Sequence, residues 1–272
     1  MIGLAYSVRD PAGSGIARYI VEYYKLESCS ECIHAKECYC SSNFVLAGFE
    51  EDVLYFEFLD HRVPGLTQYY IVLSRHSSIE GVKSFTVHHT GNYGEAVYGG
   101  KSSTLSVANP PVTHKLLLLL KKISEEKSRL DYEICYEATH HGPTNNSKPL
   151  SFVEIGSSVE QWNDKLNHSI VGEAVIEFLE NPFNNCIPTI GFGGTHYPRK
   201  HTELAFEKNY CYGHIMPRYA LQYLSSEIVE QMINKTSVKP QHIVVEKKST
   251  RKEHRELIEK EALKHNLSIE YV

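Results

Sequence analysis

The sequence predicts an α/β protein, a single domain over residues 1–272 with a mixed, largely parallel sheet flanked by helices. Two observations carry this expectation. Short apolar runs, several alternating with period two, are interleaved along the whole chain with longer segments of helical period. The composition, 42% hydrophobic and 22% charged over 272 residues, is that of an ordinary globular chain long enough to bury a sizeable core.

Taken in order, residues 1–8 read as a first strand, and 14–26 as a helix with Ile16, Tyr19, Ile20 and Tyr23 on one face. A cysteine-rich insertion at about 27–43 follows, then two apolar runs, 53–59 and 69–73, read as strands. Residues 85–90 form another short strand. Asn109-Pro110-Pro111 breaks the chain, and Thr113 is the expected N-cap of a helix to about residue 128. Tyr132, Ile134 and Tyr136 alternate with Glu133, Cys135 and Glu137 as in a strand, and a run at 151–155 carries Glu154. A long helix over 162–180, a strand over 186–192, helices over 219–233 and 251–265, and strands over 242–246 and 267–272 complete the alternation.

Composition narrows the function classes. A net charge of -5 argues against non-specific nucleic-acid binding, while leaving room for one local basic face. The apolar run at 116–120 is far too short to span a membrane, and the N-terminus lacks a basic start and a small-residue cleavage site, so a cytoplasmic protein without membrane contact is expected. Cys29, Cys32, Cys38 and Cys40 stand in a C-x2-C-x5-C-x-C pattern that suits a zinc knuckle, two local disulfides or free thiols. Cys135, Cys186 and Cys211 are isolated and read as buried small hydrophobes.

The chemistry concentrates where strands give way to loops. His76, His88, the pair His140-His141 and His196 each follow a predicted strand, and His214 is expected in a loop beyond. Glu137 and Glu154 flank the central pair. In an open α/β sheet ligands bind in the crevice beyond the carboxyl ends of the strands, so these loops are expected to converge on one cleft. Imidazole and carboxylate suit zinc, and zinc brings the pKa of bound water to about 7, which points to ester or amide hydrolysis with a glutamate moving the proton. Lys247, Lys248 and Arg251 lie in a basic segment that could grip phosphates.

Seven motifs are specific: SRHSS at 74–78, HHTGNYG at 88–94, YGG at 98–100, CYEATHHGPT at 135–144, FVEIGSS at 152–158, GFGGTHYPRK at 191–200 and GHIMPRYA at 213–220. Together they strongly resemble the D-aminoacyl-tRNA deacylases of the archaeal and plant type, from about residue 53 to the C-terminus. The resemblance implies an α/β fold similar to peptidyl-tRNA hydrolases and phosphorylase-like proteins. It also implies zinc, with one or two ions per chain, and hydrolysis of the ester between a D-amino acid and tRNA, which would recycle mischarged tRNA. Carried over motif by motif, Glu137, His140 and His196 are expected to be catalytic, and His141, His88, His76, Glu154 and His214 to bind metal. Tyr93, Tyr197, Lys247, Lys248 and Arg251 are expected to meet the acceptor end of tRNA, on a monomeric protein. Three departures from the family pattern stand out: His89 in place of a small aliphatic residue, Tyr93 in place of tryptophan, and Pro198 directly after Tyr197. Peptidyl-tRNA or N-acyl-aminoacyl-tRNA hydrolysis, and RNA binding with a structural zinc, are the alternative expectations.

Overall fold

The first strand, β1 (Ile2–Ser7), is buried along its whole length, as a strand covered on both faces of a parallel sheet must be. The computed structural model describes residues 1–78 and 81–272. Helix α1 (Pro11–Tyr24) starts three residues earlier than its periodicity suggested. Proline at its first position needs no N–H partner, and the Asp10 carboxylate accepts from the N–H groups of Ala12 and Gly13. The insertion then forms β2 (Glu37–Cys40), paired antiparallel with β3 (Phe44–Phe49).

The apolar run at 53–59 is not a strand. It holds a 3-10 turn at Val53–Tyr55, followed by the short helix α2 (Leu59–Arg62). Asp52 caps the turn by accepting from the Leu54 N–H, and Phe56 and Phe58 pack edge-on or tilted against Phe49 and each other. These apolar side chains reach the core as an aromatic cluster, without a ladder.

Next come β4 (Tyr69–Ser77), β5 (Ser84–His88), the two-residue strands β6 (Gly91–Asn92) and β7 (Thr104–Leu105), and helix α3 (Pro110–Glu126). Asn109, not Thr113, stands at the N-cap position of α3. Thr113 is inside the helix, its hydroxyl donating to the Pro110 carbonyl. Strands β8 (Glu133–Tyr136) and β9 (Leu150–Ser157) lead to α4 (Val159–Trp162) and α5 (Lys165–Glu180), the expected single helix being divided at the Asp164 cap. The C-terminal part runs β10 (Ile187–Phe192), α6 (Arg199–Lys208), β11 (Tyr210–Met216), α7 (Ser226–Asn234), β12 (His242–Val245), α8 (Lys252–His265) and β13 (Ser268–Tyr271). The segment with Gly213 and His214, expected as a loop, is therefore the buried strand β11. The helix expected over 219–233 is a 3-10 turn at Arg218–Tyr223 followed by α7, whose Ser225 cap accepts from the Ile228 N–H.

The strands form two main sheets, not one. The larger has the order β2-β3-β1-β4-β9-β5-β8, and the smaller, β11-β10-β12-β13, is entirely parallel. Among the described residues only the β2–β3 and β9–β5 pairings of the larger sheet are antiparallel, so the architecture is largely parallel and mixed, as expected. One apolar cluster crosses from Leu4 and Ile71 through Leu116, Leu120 and Val171 to Tyr212 and Val244, tying both sheets to a shared helical layer. Full burial of each such leucine contributes about 1.5–3 kcal/mol. Among the described residues no helix is long and apolar enough to cross a membrane.

The antiparallel β9–β5 pairing decides where the chemistry sits. Ser74 of β4 is level with Glu154 of β9, and Glu154 is level with Thr86 of β5, which in turn is level with Cys135 of β8. Side chains alternate along a strand, so Ser74, His76, Glu154, Thr86 and His88 share one face of the sheet. The opposite face, with Ile71, Leu73, Phe85, Val87, Val153 and Ile155, packs under the helices.

Candidate active site

The five strand-associated histidines do come together, but for a different physical reason from the one the sequence suggested. Strands β4 and β9 run opposite to β5 and β8, so their carboxyl ends do not meet at one edge. What gathers the residues is the shared sheet face. His76 is contributed by β4, Glu154 by β9 and His88 by β5, while Glu137, His140 and His141 follow β8. His196 arrives from the other sheet, on the turn after β10, where Gly193 and Gly194 at φ 100° and 84° take backbone conformations that a side chain would strain.

Glu137 is the hub. Its carboxylate approaches His76 Nδ1 at 3.0 Å, His196 Nε2 at 2.8 Å and His140 Nε2 at 3.5 Å, and its side chain is wholly inaccessible. Glu154 lies 3.3 Å from His76 Nδ1 and 3.5 Å from His88 Nε2, and accepts a hydrogen bond from Ser74, a partner that sequence reasoning missed. Ser74 was legible as the residue two before His76 on one strand, hence on the same face. Burial alone would raise the Glu137 pKa, but the charge of His76 and the hydrogen bond from His196 hold it well below the usual carboxylate range. Burial alone would lower that of His76, and the two carboxylates overcome this, pushing it up to about 10. His141 goes the other way, down to about 4, through burial and the neighbouring His88.

The remaining imidazoles are oriented alike. His140 Nδ1 lies 2.7 Å from the Ala138 carbonyl and His141 Nδ1 lies 2.6 Å from the Gly142 carbonyl. His88 Nδ1 lies 3.3 Å from the His89 carbonyl. A carbonyl only accepts, so each Nδ1 carries a proton; burial lowers the pKa of His140 and His141 and leaves their Nε2 lone pairs free, whereas the Glu154 carboxylate facing His88 Nε2 overcomes burial and raises that of His88. The ring centroids of these three residues are 4.3–5.0 Å apart. Donor atoms of His88, His140 and His141 lie within 4.8 Å of one another, and the same holds for His76, Glu137 and His196 and for His88, Glu137 and Glu154. The Nε2 atoms of His76 and His88 are buried without a hydrogen-bond partner. An Nδ1–H held by a carbonyl beside an unpartnered Nε2 is the usual arrangement of a metal-binding histidine, so the donor set fits a cation such as zinc.

A cleft of about 410 Å³ opens onto this cluster, reaching His76, His140, His141, Glu154 and His196. Its other wall comes from Asp52, Leu54, Arg75 and Tyr98, none of which the sequence singled out. Arg75 pairs with Asp52 at 3.6 Å and lies over the Trp162 ring.

Two expected site residues, His214 and Tyr93, take other places. His214 is not a metal ligand candidate. Its Nε2 faces the carbonyls of Ser106 and Lys235 at 3.2 Å and so carries a proton, and its Nδ1 accepts from the Thr139 hydroxyl, which leaves no free lone pair. His89 lies beside it, donating to the Gly213 carbonyl and accepting from the Asn109 N–H, so both form a buried layer behind the cluster. Tyr93 is only 5% exposed, packs with Leu105, Phe192 and Met216, and does not line the cleft. Tyr197 is buried too, but it remains at the site, its ring against His76 and His196. Lys247, Lys248 and Arg251 are exposed just beyond β12, and Ser249 between them donates to Glu246 while accepting from the Gly194 N–H of the His196 turn. The basic segment therefore borders the site.

The family model for D-aminoacyl-tRNA deacylase matches residues 65–270. The chain belongs to the D-aminoacyl-tRNA deacylase family. It is 61% identical to a D-aminoacyl-tRNA deacylase of Staphylothermus marinus, covering 99% of both chains, and 54% identical to one of Desulfurococcus amylolyticus over the full length of both. The crystal structure of a conserved protein of unknown function superposes with a TM-score of 0.90 at 27% identity, covering 100% of this chain and 95% of that one. The shared fold and the hydrolase class of this family are thus those of the present chain.

The cysteines resolve into pairs. Cys29–Cys40 and Cys32–Cys38 form disulfides within the insertion, and Cys186–Cys211 joins the start of β10 to β11. Cys186 and Cys211, expected as isolated hydrophobes, are correctly placed for bonding only because β10 and β11 are neighbours. Cys135 alone is a buried free thiol.

Proposed function

We propose that this deacylase hydrolyses the ester of D-aminoacyl-tRNA, with D-tyrosyl-tRNA among its substrates, and that His88, His140 and His141 hold a catalytic zinc ion through their Nε2 atoms, with Glu154 beside them. The single observation that carries this reading is the common arrangement of the three imidazoles, each Nδ1–H given to a carbonyl and a donor atom of each ring within 4.8 Å of the other two. Bound there, zinc would polarise the ester carbonyl and lower the pKa of water.

The chain's own residues do the rest. Glu137, kept ionised by His76 and His196, takes the proton from the attacking water and returns it to the departing ribose oxygen. His196 orients that carboxylate from the second sheet. Leu54, in the cleft wall beside His140 and His141, is the surface an L side chain would strike. Lys247, Lys248 and Arg251 contact phosphates of the acceptor end.

The deciding assay measures deacylation of D-tyrosyl-tRNA and L-tyrosyl-tRNA before chelation, after it, and after zinc is restored. Loss of the D-ester alone, abolished by chelator and recovered with zinc, is expected. A zinc-loaded protein that leaves D-tyrosyl-tRNA intact overturns the reading.

A further inference from the structure

The exposed aromatic side chains around the cleft have no role in the chemistry described so far. Tyr98 is 66% exposed and Tyr219 56% exposed, values at which a tyrosine inside a domain of this size contributes little to its core. Both nonetheless have fixed backbones. The Tyr98 carbonyl accepts from the Gly142 N–H at 2.9 Å, directly after His141, and Gly99 follows at φ 72° with its Cα so close to the Leu54 carbonyl that a Cβ would stand 2.2 Å from it. Tyr219 follows Arg218, whose N–H donates to the Gly194 carbonyl of the His196 turn, and precedes the buried Ala220 and Leu221. One tyrosine is therefore pinned to the His140–His141 side of the cluster and the other to the His196 side, each with its ring open to solvent.

We infer that Tyr98 and Tyr219 are stacking platforms for the unpaired 3′-terminal nucleotides of tRNA. The inference rests on the deacylase reading in one respect, that the ester carried by the terminal ribose must reach the histidine cluster. The terminal base is one sugar away from that ester, so with the carbonyl at the cluster the base has to lie just outside it, between Tyr98 of the cleft wall and the segment of Tyr219 held against the His196 turn. A single strand held without pairing is bound most simply by aromatic faces on which any base stacks, with cations nearby for the phosphates. Tyrosine offers such a face with little side-chain freedom to lose, and a fixed backbone reduces the ordering cost further. The basic segment at Lys247, Lys248 and Arg251 adjoins the same turn.

The test uses the intact protein and an uncharged RNA minihelix carrying a fluorophore, with its CCA 3′ end present or removed, so that binding is read without any hydrolysis. Fluorescence anisotropy should show the CCA-ended RNA binding tighter than the truncated one. The Tyr98→Ala and Tyr219→Ala variants should each weaken the CCA-ended RNA about tenfold and leave the truncated RNA unaffected, while Tyr98→Phe and Tyr219→Phe, which keep the ring, should bind like the parent. Equal affinity for the two RNAs, or equal losses on both in the alanine variants, overturns the inference. Absence of D-ester cleavage together with a CCA preference that depends on the two rings would instead sink the deacylase reading alone.

Discussion

Glu137 Oε2 lies 2.8 Å from His196 Nε2, a contact that joins the seven-stranded sheet to the four-stranded one at the bottom of the cleft. The glutamate follows β8 and the histidine follows β10, so neither sheet holds the complete site.

Replacing Glu137 by Gln keeps the shape and removes the charge that His76 and His196 face. The kcat for D-tyrosyl-tRNA is expected to fall at least about 100-fold, with bound zinc retained. Single-turnover kinetics and metal analysis on the same preparation check both parts. Unchanged kcat would remove Glu137 from the proton path.

The Thr139 hydroxyl donates to His214 Nδ1 and accepts from the Ile215 N–H, and Thr139 directly precedes His140. Thr139→Val is expected to loosen the His140–His141 segment and lower zinc affinity roughly 10- to 100-fold. Competition with a chromophoric chelator measures this. His214→Ala should behave similarly, whereas His141→Ala, at a proposed ligand, is expected to lose the metal altogether.

Leu54→Ala enlarges the wall next to His140 and His141. The ratio of kcat/KM for D-tyrosyl over L-tyrosyl-tRNA is expected to fall by roughly tenfold, the scale of a missing apolar contact in a pocket. Tyr93→Phe, at a buried position away from the cleft, should leave that ratio unchanged.

Three disulfides leave one thiol of seven. Titration of denatured, unreduced protein should therefore find one thiol per chain, Cys135. Reducing the Cys186–Cys211 bond, which spans 25 residues, is expected to cost about 3 kcal/mol. Chemical denaturation of the parent and of the Cys186→Ala/Cys211→Ala double variant, both unreduced, gives the difference.

His201 is fully buried under the His196 turn, its ring edge-on to Tyr212 and so close to Gly191 that a Cβ there would stand 2.9 Å from it. Burial pushes its pKa from 6.5 down to about 4. A depressed pKa means that the unfolded chain binds the proton first as pH falls. The stability this neutral ring provides is thus complete above pH 6.5 and is lost progressively down to about 4, roughly 3 kcal/mol in all. Denaturant unfolding at several pH values should show this slope, and His201→Leu should flatten it.

By itself the sequence determined the α/β class, because the period of apolar residues is a local property that each segment carries. It also marked the residues with chemistry, since GFGGTHYPRK and CYEATHHGPT are contiguous and keep their histidines beside the turns that expose them. What it could not decide depended on partners distant along the chain. The run at 53–59 has the composition of a strand, yet Asp52 caps a turn there and β3 takes the sheet position. His214 looks like the other histidines until β11 places carbonyls on one side of it and Thr139 on the other. Only the tertiary structure decided that β9 runs against β5, and that register put Glu154 between His76 and His88. Strand direction is fixed by the packing of both faces at once, and no single segment contains that information.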